Sequence, residues 1–265
     1  MDNRPIGVFD SGIGGLTVVS AIAEASPNED IIYVGDTARV PYGNKSRKRI
    51  QQFSLEIAEW LIIQDCKMIV VACNTASSLA LNHLKKSLAI PVIGVIEPGA
   101  SHALATTKNQ NIGVLGTTAT IFSDAYGLQL RSSQSNITVI SQACPLFVHL
   151  VEEGWVSGEV PKNIARKYLK PIQKSKVDTV ILGCTHYPLL KKIISSVMGP
   201  KVNLIDSGKA ASSTIKRSIM ENNFPASDKN GQVRCFVTDE PESFEILAGR
   251  FIKIGIYSTK RLEHF

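Results

Sequence analysis

Short apolar, β-branched runs alternate along the chain with longer stretches in which apolar residues recur at helical spacing. The runs fall at residues 6–9, 31–34, 68–72, 92–96, 112–115, 138–140, 179–182 and 202–205. They lack polar alternation, which predicts strands covered on both faces. Between them, SRKRIQQFSLEIAEWLI (46–62) and VPKNIARKYLKPIQ (160–173) carry the amphipathic period of helices. Strand–helix alternation of this kind predicts an α/β fold with mostly parallel sheets.

The two halves of the chain resemble one another. Gly7-Val8-Phe9-Asp10-Ser11 parallels Gly113-Val114-Leu115-Gly116-Thr117, IVVACNTA (69–76) parallels VILGCTHY (180–187), and IGVIEPGA (93–100) parallels NLIDSGKA (203–210). The three matches keep their order and are offset by nearly the same number of residues, which predicts a duplicated α/β unit. No linker rich in Pro, Gly or Ser separates the halves, so the junctions near Glu97 and Asp206 should be tight.

Composition narrows the class. A chain of 265 residues with 44% hydrophobic and 20% charged residues can bury a substantial core and is not a disordered protein. No apolar run approaches the ~18 residues of a membrane span. The start, MDNRPIGVFDSG, lacks the basic and apolar regions of a signal peptide, so cytoplasm is the expected location. Five cysteines at wide, irregular spacing do not form a disulfide framework or a CxxC pair. The net charge of +6 raises nucleic-acid binding, but KSRKR (45–49), KK (85–86) and KK (191–192) are scattered beside helices without aromatics. They read as solvated helix faces.

The candidate chemistry sits where strands end. In α/β sheets, ligands bind at the carboxyl ends of strands, and the pattern places Cys73 and Cys184 there. Asn74-Thr75 and Thr185-His186 then open the next helix or loop. Free N–H groups at a helix start lower a thiol's pKa and hold a substrate carboxylate. Cys66, Cys144 and Cys235 are expected to be small buried hydrophobes. Cys184 and His186 lack a second pair at ligand spacing, so no metal is expected. DSGIGG (10–15) lets the backbone approach a ligand, yet it has neither the third glycine of a dinucleotide fingerprint nor the lysine of a phosphate loop. Asp10 and Ser11 could accept from an ammonium or simply cap the helix. In DTARVPYG (36–43), Pro41 and Gly43 are turn residues, and VEEGW (151–155) carries two carboxylates, at least one of them solvent-facing.

Two poised thiols around one small site suit inversion of a stereocentre next to a carboxylate. One base removes the α-proton on one face, an acid returns a proton on the other, and the reverse direction exchanges the roles. A duplicated unit supplies two such groups.

FDSGIGGLTV (9–18), GDTARVPYG (35–43), ACNTAS (72–77), GVIEPG (94–99), PLFVHLVEEG (145–154) and LGCTHYPLL (182–190) together resemble the cofactor-independent aspartate/glutamate racemase family, in its glutamate branch. The resemblance implies racemisation of L- and D-glutamate without pyridoxal phosphate or any other cofactor, feeding D-glutamate to peptidoglycan synthesis. It implies Cys73 as the base toward D-glutamate and Cys184 toward L-glutamate. Asp10 would assist Cys73, and His186 with Glu152 would assist Cys184. Asp10, Ser11, Pro41, Tyr42, Gly43, Asn74, Thr75, Thr117, Thr118, Thr185 and His186 would hold the substrate. The implied fold is two pseudo-symmetric α/β/α domains, 1–97 with 207–265 and 98–206, with the site in the cleft between them.

A homodimer is the implied assembly. Val40 and His149 depart from the family's usual residues and are expected at the periphery. The short stretch before the first strand argues against activation by a peptidoglycan precursor. Contact with DNA or gyrase has no support beyond charge. Two rivals stay open: an aspartate racemase, which His186 disfavours, and a binding module for an acidic amino acid with inert cysteines.

Overall fold

The computed structural model describes residues 1–222, 224–228 and 230–263. Among the described residues, ten strands form two sheets. They are β1 (Ile6–Asp10), β2 (Ile31–Gly35), β3 (Met68–Val71), β4 (Val92–Gly94), β5 (Asn111–Gly116), β6 (Thr138–Ala143), β7 (Thr179–Gly183), β8 (Asn203–Asp206), β9 (Val233–Val237) and β10 (Ser258–Arg261). The first sheet runs β10-β9-β2-β1-β3-β4 and the second β6-β5-β7-β8. Every strand pairing among the described residues is parallel.

The segment β2-β1-β3-β4 of the first sheet has the same order as β6-β5-β7-β8, with β1 standing to β3 as β5 stands to β7. The internal repeat in the sequence thus has a counterpart in strand order. β1, β2, β3 and β7 are buried along their whole length, which accounts for their unbroken apolar sequence.

Helices cover the sheets. The helix Arg47–Ile63 starts at Ser46, whose side chain accepts from Arg49 N, and buries Ile50, Ser54, Ile57, Ala58 and Leu61 on one stripe. Two helices that follow β4 and β8, Ile96–Thr106 and Ser207–Glu221, pack against each other. Asp206 caps the second, accepting from Gly208 N and Lys209 N. One apolar cluster takes in Ile6 and Val8 of the first sheet, Val180 and Leu182 of the second, and Phe244 from the C-terminal segment.

Two strands end earlier than their apolar runs predict, and two more lie outside those runs. β3 ends at Val71 and β4 at Gly94, so Val95 and Ile96 already turn into the next helix. β9 and β10 were not foreseen. β9 alternates buried and half-buried residues, and β10, STKR, is a polar edge strand paired on one side only.

Candidate active site

The carboxyl ends of β1, β3, β5 and β7 converge on a cavity of about 270 Å³. Its wall includes Ser11, Pro41, Tyr42, Gly43, Cys73, Asn74, Thr75, Thr117, Thr118, Glu152, Cys184, Thr185 and His186. Each cysteine reaches this one cavity from a different sheet.

On the first-sheet side, Cys73 follows β3 and is the N-cap of the helix Asn74–Leu79, with Sγ accepting from Ala76 N at 3.5 Å. Ser11 Oγ lies 3.7 Å from the same sulfur. Asp10, the last residue of β1, is fully buried behind the cavity wall rather than in it. Its carboxylate accepts from Gly12 N at 3.1 Å, while the following helix, Leu16–Ala25, begins at Gly15 without a side-chain cap. Asp10 therefore organises the turn; it does not cap the helix. Asn74 is oriented by Tyr126, whose hydroxyl donates to Oδ1 at 2.7 Å. Thr75, Thr117 and Thr120 hydroxyls form a cluster at 2.8–3.3 Å that ties the two sheets' loops together. Buried Asp36 accepts from Tyr42, from Arg39 Nε at 2.8 Å and from Thr238 at 3.0 Å, and so fixes the loop that carries Pro41, Tyr42 and Gly43.

On the second-sheet side, Cys184 follows β7. His186 Nδ1 lies 3.9 Å from its sulfur, and His186 Nε2 lies 2.9 Å from Glu152 Oε1. A carboxylate only accepts, so Nε2 carries a proton; whenever the ring is neutral, its lone pair is then on Nδ1, facing the thiol. Thr185 joins the two sides: its hydroxyl donates to Asp10 Oδ1 at 3.5 Å and sits 3.5 Å from His186 Nδ1.

The model of the Asp/Glu/Hydantoin racemase family matches residues 6–215. The chain belongs to that family. A glutamate racemase of Geobacter metallireducens is 47% identical over 95% of this chain and 94% of its own length. The crystal structure of a glutamate racemase isoform from Bacillus anthracis superposes with a TM-score of 0.96 at 39% identity, covering 100% of this chain and 99% of that one. A glutamate racemase from Francisella tularensis, solved in complex with D-glutamate, gives a TM-score of 0.93 at 43% identity, covering 99% of this chain and 98% of that one.

In this racemase fold the thiols are not acidified, contrary to the expectation from strand-end position. Burial pushes Cys73 up to about 12, helped by the Asp10 charge and opposed only in part by Ala76 N–H and Ser11. Burial likewise pushes Cys184 above the usual thiol range, outweighing the backbone N–H of His186. Cys184 is followed by a short 3-10 turn, Tyr187–Leu190, not by an α-helix, so little dipole acts on it. Desolvation dominates both sites, and each sulfur needs a neighbouring base to ionise. Burial also raises Asp10, while the nearby His186 pulls it back.

Val40 and His149, expected at the periphery, line the cavity together with Gly12, Asn44, Pro145 and Val148. The loop between β2 and the helix Arg47–Ile63 carries Val40 there and the helix Leu146–Glu152 carries His149, and the facing of that short helix is not written in local sequence. Cys66, Cys144 and Cys235 are buried and free, away from the cavity wall.

Proposed function

We propose that the chain interconverts L- and D-glutamate by a cofactor-independent, two-thiol mechanism. The observation that carries this is the pair Cys73 and Cys184 in one cavity, each beside its own acid–base partner. Supporting it are the family membership and the glutamate racemase relatives that align along nearly the whole chain.

Cys73 as thiolate takes the α-proton of D-glutamate, and the Cys184 thiol delivers a proton to the opposite face, leaving Cys73 as thiol and Cys184 as thiolate. The L-to-D direction exchanges these roles. Asp10 is the partner for Cys73. His186, held by Glu152, accepts the Cys184 proton through Nδ1. The substrate ammonium brings positive charge next to two sulfurs that burial keeps neutral, which favours the thiolate once substrate is bound. Ser11, Asn74, Thr75, Thr117, Thr118 and Thr185, with the loop Pro41-Tyr42-Gly43, hold the carboxylates and ammonium. Their fixed donors stabilise charge that spreads into the α-carboxylate as the proton leaves. We place the cleft between units formed by residues 1–97 with 207–265 and by residues 98–206. The D-glutamate formed serves peptidoglycan synthesis.

Incubation with either enantiomer in D₂O tests the proposal. It requires deuterium at Cα and convergence to a nearly equal mixture. An α-hydrogen that stays in place while glutamate binds would leave only a binding module. Parallel assays with both aspartate enantiomers set the preference, since one methylene is worth only ~1–3 kcal/mol in a pocket.

A further inference from the structure

The helix that carries Glu152, Leu146–Glu152, ends in a Schellman turn. Trp155 N donates to Leu150 O at 2.7 Å and Gly154 N to Val151 O at 3.0 Å, while Glu153 N donates to His149 O at 2.9 Å. Gly154 makes the turn with φ +77°, a conformation that favours glycine. The carbonyl of Glu152 lies beyond these bonds. It accepts from Arg250 Nη1. The guanidinium lies against Gly154: an added Cβ there would stand 3.1 Å from Nη1 and 3.2 Å from Cζ. A cation at this end of the helix is favoured by the dipole as well.

Arg250 arrives from the other sheet. The helix Pro241–Ala248, just before it, packs on β9 and β10 of the first sheet, whereas the Glu152 helix follows β6 of the second. The next residue, Phe251, is buried and sets its ring edge against His186, with centroids 5.3 Å apart at 82°. Residues 250 and 251 therefore grip both members of the Glu152–His186 pair from across the cleft.

We propose that Arg250 is a positioning residue for proton transfer at Cys184: it completes the cap of the Glu152 helix and thereby fixes Glu152 against His186 Nε2. This rests on the two-thiol mechanism above. Arg250 is itself exposed, so its removal acts on the chemistry more than on the fold.

The two enantiomers have equal free energy in an achiral solvent, so any variant must change kcat/KM by the same factor in both directions. What can differ is which proton transfer limits the rate. In Arg250→Met, which keeps much of the apolar stem, kcat/KM falls about tenfold, the loss of roughly one hydrogen bond to a charged group. The α-deuterium isotope effect rises with L-glutamate, whose C–H bond Cys184 breaks, and falls with D-glutamate. Arg250→Gln, a second surface change, gives the same opposed shifts, and Arg250→Lys recovers part of the rate. Wild-type kcat/KM in the folded Met and Gln variants overturns the proposal. So does a loss of rate in which both isotope effects stay fixed or move the same way. A wild-type protein that fails to exchange the α-hydrogen in D₂O strikes the racemase mechanism itself, which separates the two failures.

Discussion

Gly14 stands directly against His186: a Cβ added to Gly14 would sit 2.5 Å from the ring atoms Cε1 and Nδ1, and 2.3 Å from Thr185 Oγ1. The turn after β1 and the turn after β7 thus meet backbone to side chain across the two sheets. Beside this contact Thr17 Oγ1 donates to Thr185 O at 3.0 Å. Gly14→Ala must displace the His186 ring and the Thr185 hydroxyl from these positions. The expected outcome is a folded protein destabilised by ~1–3 kcal/mol with racemisation lowered at least about tenfold. Thermal unfolding and steady-state rates measured together check it.

Cys73→Ala and Cys184→Ala should each reduce racemisation by ~10²- to 10⁴-fold or more, the range for losing a general acid–base group. Each replaces a small buried group by a smaller one at the edge of the cavity, so the fold survives. Full activity in either variant, alongside a native circular dichroism spectrum, sinks the two-thiol assignment.

The partners should matter less than the sulfurs. Asp10→Asn and His186→Asn lower turnover without abolishing binding, as measured by titration with either enantiomer. Glu152→Gln carries a sharper expectation. An amide can donate to Nε2, which admits the tautomer with hydrogen on Nδ1, and that ring cannot accept from Cys184. Turnover should fall about tenfold or more with KM little changed; an unchanged kcat would show that the carboxylate does not set the tautomer.

Stability should decline at alkaline pH. Burial holds Cys66, Cys73 and Cys235 at about 12 against an ordinary thiol value of 9.0, and lifts Cys144 and Cys184 as well. Between these limits the unfolded chain has released protons that the folded chain keeps, so the unfolded state binds fewer protons and unfolding becomes easier as pH rises. The slope is at most ~1.4 kcal/mol per pH unit for each thiol. Urea midpoints followed from about pH 8 to about pH 11 should fall throughout, and less steeply in Cys144→Ala. A flat profile would mean that the buried thiols ionise equally well in both states.

Much of this fold was legible because β1, β2, β3 and β7 are buried on both faces, although β6 and β8, expected to be covered too, are largely exposed or half-buried. Runs such as VFD in β1 and VILG in β7 announce themselves by composition, and the doubled Cys motif marks where they end. β9 and β10 escaped because RCFV is half covered and STKR is polar, so neither carries a continuous apolar signal. The site divides in the same way. Cys73, Cys184, Asn74 and Thr185 follow from strand ends, but Tyr126 on Asn74, Thr238 on Asp36 and Arg250 on Glu152 are long-range meetings that no local pattern encodes. The thiol acidity failed for a related reason: a helix start is visible in sequence, whereas the depth of burial that overrides it is not.

The pairing of β9 with β2 has a consequence for synthesis. Every side chain that lines the cavity lies between residues 11 and 186, yet the partner that closes the flank of β2 is not made until residues 233–237. A nascent chain therefore acquires all its chemical groups while one strand still offers unpaired N–H and C=O groups to any neighbour. The later stretch adds no reactive atom; it removes an adhesive margin.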